Sequence, residues 1–152
     1  MDRQFKRLDT KEDVDIVDYL KSKLRDTPDA EIYIGCDSQT QGRKTTYAIV
    51  VVLHYRGAGG HVMYTKETMP KVGEIGARLW KEVEFSVELA EHLLANGVKK
   101  AKYIDIDINP DKKYKSNILL TSAMGFVAWK GFEPRAKPYA VSASRVADKL
   151  CK

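Results

Sequence analysis

A chain of 152 residues with 43% hydrophobic and 31% charged side chains has the size and composition of one soluble globular domain, and no apolar run approaches the roughly 20 residues that a bilayer span needs. The charged residues 1–7 do not read as a secretory leader, and two cysteines, Cys36 and Cys151, exclude a disulfide framework, so a reducing, cytoplasmic setting is expected. The net charge of +5 is uneven, with 12 Lys and Arg against 5 Asp and Glu in residues 99–152 and 14 against 16 before them; this suits a polyanionic partner, although a solvated basic face gives the same balance.

Residues 10–25 place Ile16, Tyr19, Leu20 and Leu24 at helical spacing, with Thr10 as N-cap, Asp13 three residues on, and Pro28 beyond the end. Residues 31–39 then read as a strand. Alternation puts Ile32, Ile34 and Cys36 on one face and Tyr33, Gly35 and Asp37 on the other. A carboxylate ending such a strand is costly unless a positive group meets it. The plainer alternative is an acid that caps the turn begun by Ser38. A polar turn over residues 39–44 leads to a β-branched strand over 45–55. A glycine-rich hairpin over 56–60 and a third strand over 61–68 follow. Three strands joined by short turns imply an antiparallel meander.

Residues 73–95 form a long amphipathic helix that stops at Asn96 and Gly97. Its stripe is Ile75, Leu79, Val83, Ala90, Leu93 and Leu94. Counting about 100° per residue, Glu82 lies roughly 75° from the middle of that stripe and Glu84 roughly 125°. Glu82 is therefore the acid on the core-facing flank, near Ser86. The strand over 102–108 alternates strictly, with Ile104, Ile106 and Ile108 opposite Tyr103, Asp105 and Asp107. A right-handed crossover would set it beside, and parallel to, the first strand. A basic turn over 109–115, a helix from Ser116 through about Val127, a strand over 136–142 and a helix over 144–150 carrying Asp148 complete the chain. No linker or repeat divides it, so residues 1–152 read as one domain, with 1–28 a helical extension and 31–152 the core.

This order of elements, with acids on the first strand, the long helix, the fourth strand and the last helix, resembles the ribonuclease H-like fold. More narrowly, Ile34-Gly-Cys-Asp-Ser-Gln39, Glu82-Val-Glu-Phe-Ser86, Tyr103-Ile-Asp-Ile-Asp107 with Ser116 beyond, Gly131 to Pro138, and Ala143 to Lys149 resemble the YkuK-like family of ribonuclease H-related proteins. The resemblance covers residues 31–152. It departs at Cys36, where a smaller or hydroxyl residue is expected, and at the basic turn Lys112 to Lys115. It implies an α/β domain with a five-stranded mixed sheet, three strands antiparallel and two parallel to the first, flanked by helices and preceded by an extra N-terminal helix.

Adjacent parallel strands would place Asp37 and Asp105 side by side at their carboxyl ends, where ligand sites of open α/β sheets lie, with Glu82 above them. Carboxylates so close repel unless a divalent cation joins them, and hard oxygen donors favour Mg²⁺ or Mn²⁺. His54, His61 and His92 lack zinc-type spacing. The expected function is thus a metal-dependent nuclease acting on RNA, DNA or a hybrid. Asp37, Glu82 and Asp105 are its expected main ligands, Asp107 and Asp148 supplement them, and Ser38, Gln39, Ser116 and Lys137 are expected nucleic-acid contacts. Plainer readings stand beside each role: Asp105 and Asp107 as solvent-facing strand residues, Glu82 as a surface acid paired with Arg78 or Lys81, Asp148 and Lys137 as solvated charges. The alternative function is an inactive nucleic-acid-binding module. A nucleotide-binding regulator would need a glycine-rich phosphate loop, which the sequence does not show.

Overall fold

A computed structural model of the chain describes residues 3–57, 59–106 and 114–136, without the side chains of residues 75 and 114–117. The strands are β1 (Phe5–Arg7), β2 (Asp13–Val14), β3 (Glu31–Gln41), β4 (Lys44–His54), β5 (Gly60–Pro70), β6 (Tyr103–Ile106) and β7 (Pro134–Ala136). The helices are α1 (Ile16–Asp26), α2 (Ile75–Ala95) and α3 (Tyr114–Trp129). One sheet runs in the order β2-β1-β5-β4-β3-β6-β7. It has seven strands where five were expected. The five are present with the expected directions: β3, β4 and β5 form the antiparallel meander, and β6 and β7 run parallel to β3.

The two added strands come from the segment expected to open the first helix. Asp9 Oδ1 accepts from the Thr10 amide at 2.8 Å, and Thr10 Oγ1 accepts from the Glu12 amide at 3.2 Å. Such local side-chain bonds compete with the helical ladder. They close a turn, with Lys11 at φ 62°, that folds β2 back on β1. Phe5 is buried, and β1 adds to the outer edge of β5. Helix α1 therefore starts at Ile16, and its N-cap is Asp15 rather than Thr10; the Asp15 carboxylate accepts from the Asp18 amide at 3.0 Å. Asp15→Ala should cost about 1 kcal/mol, the usual size of an N-cap loss, read as a lower urea midpoint at unchanged slope.

The β3–β4 hairpin is tighter than the sequence suggests. Pairing continues to Gln41 and Lys44, so only Gly42, at φ 60°, and Arg43 make the turn. At the other end of β4, a Cβ on Gly60 would stand 2.1 Å from the Leu53 carbonyl oxygen, so only glycine fits opposite His54. Ile32, Ile34 and Cys36 of β3, with Ile49, Val51 and Leu53 of β4, pack against Leu20 of α1, Val83 and Leu89 of α2, and Ala123 and Val127 of α3. The opposite sheet face carries a second buried group, Tyr33, Ala48, Val50 and Val52, joined by Val62, Tyr64 and Tyr103. Both faces of β4 are buried, as expected of a central strand.

The strand expected over 136–142 appears as β7, beginning at Pro134; residues 137–142 and the expected helix over 144–150 lie outside the described residues. No helix among the described residues is long and apolar enough to cross a membrane.

Candidate functional site

Strand β3 pairs with β4 over all 11 of its residues without a bulge, so its side chains alternate strictly through Asp37 and Ser38. Asp37 leaves on the Tyr33 face and Ser38 on the face covered by α2. Strand β6 lies beside β3 in parallel, as expected. The register corrects the expected side-by-side pair: Asp105 is level with Gly35, two residues short of Asp37, or about 6.6 Å along the strand at ~3.3 Å per residue.

On the Tyr33 face, Asp105 is engaged by a cation that the sequence reading did not assign. Arg135 of β7 is its register partner. The Arg135 guanidinium donates from Nε and Nη2 to the two Asp105 oxygens at 2.8 and 3.0 Å. The Asp105 side chain is fully buried and that of Arg135 is 16% exposed. The guanidinium carbon stands 4.8 Å from the ring centre of Tyr33 and 4.5 Å from that of Tyr103. Those two rings are themselves stacked at 5.9 Å. The Tyr33 hydroxyl donates to Glu31, which also takes a bond from Lys102. Burial and then the Glu31 bond push the Tyr33 phenol up to about 12, while Lys102 and Tyr33 hold the Glu31 carboxyl low. This is a polar network on aromatic rings, with Asp105 and Glu31 as its carboxylates.

On the α2 face, Glu82 is buried at 5% exposure and Glu84 is exposed, matching the flank expected from helical spacing. Ser38, also buried, donates from Oγ to Glu82 Oε2 at 2.5 Å. Tyr47, the β4 partner of Ser38, lies beside them, and burial followed by the nearby Glu82 charge raises its phenol. Arg78, one turn before Glu82, donates from Nη1 to Thr40 Oγ1 at 3.3 Å, and Thr40 bonds Thr45 across the hairpin. The Tyr47 hydroxyl and Arg78 Nε are buried polar atoms without a hydrogen-bond partner among the described residues. Ser86, a turn after Glu82, is buried as well.

The structure thus sets Asp37 within β3, four residues before its end at Gln41, on the face opposite α2 and Glu82, and pairs Asp105 with Arg135. Gln39 follows on β3, half-buried, on the Asp37 side. Ser38 faces α2 and is only 5% exposed, not the surface position expected of a nucleic-acid contact. Asp107, Lys137 and Asp148 lie outside the described residues, as does the side chain of Ser116. Among the described residues, no three His, Cys, Asp or Glu side chains gather as a metal cluster. Mg²⁺, however, is commonly held by one or two carboxylates with water and substrate phosphate completing the shell. Asp37 and Glu82 are hard oxygen donors of that kind, each offering one carboxylate from its own face of the sheet. Asp105, with both oxygens facing a guanidinium, does not fit that mode.

Most described cations of the last third are also committed. Lys99 donates to the carbonyls of Pro28 and Ala30, Lys102 pairs with Glu31, Lys130 with Glu91, and Arg135 with Asp105. Arg135 and Tyr47 were missed as site residues because strand register alone brings them to the acids; the one sequence signal was the basic residue following Pro134 in the quoted motif.

With the fold and the acids placed, the class follows from the sequence profile of the ribonuclease H-like family, which matches residues 14–152. The chain belongs to that family, and β1 lies ahead of the matched span. Among solved structures, it is similar to RNase H1 from the halophilic archaeon Halobacterium salinarum NRC-1, at 15% identity and a TM-score of 0.39, over 80% of this chain and 98% of that one. No curated protein matches the chain.

Proposed function

We propose that this chain is a nuclease of the ribonuclease H-like type, within the YkuK-like group, hydrolysing phosphodiester bonds of RNA, DNA or an RNA–DNA hybrid with Mg²⁺ or Mn²⁺. The observation that carries this reading is the buried Glu82 of α2, bonded by Ser38, with Asp37 next to that serine on the central strand β3. Family membership supports it, because nucleic acid is the natural substrate of such a fold. A bound cation would supply an activated water and a counter-charge for the leaving oxygen. The chain's own part is to hold the carboxylates: Asp37 by the unbroken β3–β4 pairing, Glu82 by Ser38 and the packing of α2. The sequence offers Asp107 and Asp148 as further acids.

Glu82→Gln should weaken Mn²⁺ binding by about tenfold or more in calorimetry, in the range seen when a metal site's supporting groups are changed, while Glu84→Gln leaves it unaltered. Equal effects of the two substitutions would remove Glu82 from the site. A second reading, an inactive nucleic-acid-binding module, is favoured by one observation, the commitment of Asp105 to Arg135. It requires nucleic-acid binding without turnover in either metal.

A further inference from the structure

Ser38 was expected to touch nucleic acid, yet its hydroxyl is buried and its bond runs to Glu82. We propose that Ser38 is the positioning residue for Glu82. The inference rests on the nuclease reading above and deepens it.

A carboxylate with 5% exposure must be met by donors or it will turn toward solvent or neutralise. On an α-helix surface, Glu82 has rotamers that point along, across or away from the sheet. The Ser38 hydroxyl selects one of them. Ser38 can do this because β3 is paired on both sides at this level or just before it, with β4 through Tyr47 and with β6 through Gly35. Its backbone is therefore fixed, and its short side chain has few positions from which to donate. Arg78 stands one turn before Glu82 and is tied to Thr40, so a positive charge also lies on this side of the helix. Tyr47 closes the layer as Ser38's cross-strand neighbour, with its ring against Phe85 at 5.1 Å. One hydroxyl on a fixed strand thus sets the Glu82 carboxylate, while Asp37 faces the other side of the sheet. Supporting groups of this kind are what hold functional carboxylates to a productive geometry.

The test compares Ser38→Ala, which removes the hydroxyl, with Ser38→Thr, which keeps it, using Mn²⁺ alone as calorimetric probe. Circular dichroism monitors the fold, and cleavage of a labelled hybrid is followed in parallel. Ser38→Ala should weaken Mn²⁺ binding by about 10- to 100-fold, and Ser38→Thr should recover most of that loss. Cleavage should fall through kcat with little change in KM. If Ser38→Ala does not fold, Ser38→Cys, close in size and a poor donor, should show the same loss of affinity. Unchanged Mn²⁺ affinity in the folded hydroxyl-free variant overturns the positioning role while leaving the nuclease reading intact. A parent protein that neither binds Mn²⁺ nor cleaves overturns that reading and this inference with it.

Discussion

Asp37→Asn should reduce cleavage of labelled RNA, DNA or hybrid by at least about a hundredfold, the lower range for removing a positioned acid or base from a reacting centre. The substitution exchanges one oxygen for an amide and keeps the shape, so β3 and its 11 pairings with β4 should survive. Asp37 is half-buried on the face opposite Ser38, where charge can act on a ligand rather than on the core. The measurement is a single-turnover assay in Mg²⁺ and in Mn²⁺, with parent and variant purified identically. Cleavage that persists undiminished in the variant would place the chemistry elsewhere, or in a contaminant.

The largest stability effect is expected at Asp105. Its carboxylate is fully buried against Arg135, and removing one partner of a buried pair leaves an uncompensated charge. Arg135→Met should therefore cost about 3–5 kcal/mol in urea unfolding. Adding Asp105→Leu in the same chain should recover much of that loss, since an apolar pair avoids the desolvation of both ions. A single-variant loss below about 1 kcal/mol, the range of solvent-exposed ion pairs, would show that the pair is far wetter than its geometry indicates.

The meander, the long helix and the crossover to a parallel strand were all legible, because each rests on periodicity or on a handedness rule. Glu82 could be preferred to Glu84 for the same reason: a helix carries its burial pattern in its own spacing. What could not be read was register. Asp105 aligns with Gly35 rather than Asp37, and meets Arg135, only because of how β6 slides against its neighbours. No local spacing encodes that offset. The opening ribbon was misread for a different reason. Asp9, Thr10 and Asp13 are common both at helix starts and in turns, and the choice was made by Phe5, which gains burial only if the chain folds back onto β5.

That ribbon also governs what the outer side of the sheet offers to other molecules. Without β1, the outer edge of β5, an 11-residue strand, would present free amides and carbonyls. Such an edge is a template for cross-molecular pairing. Strand β1 occupies its middle at Met63 and Tyr64, Pro70 ends it without a donor, and Lys66 adds an exposed charge. The ribbon's own border is β2, two residues long and too short to nucleate a growing sheet. The ribbon over residues 5–14 therefore shields part of that edge from cross-molecular pairing, although no candidate site residue lies there.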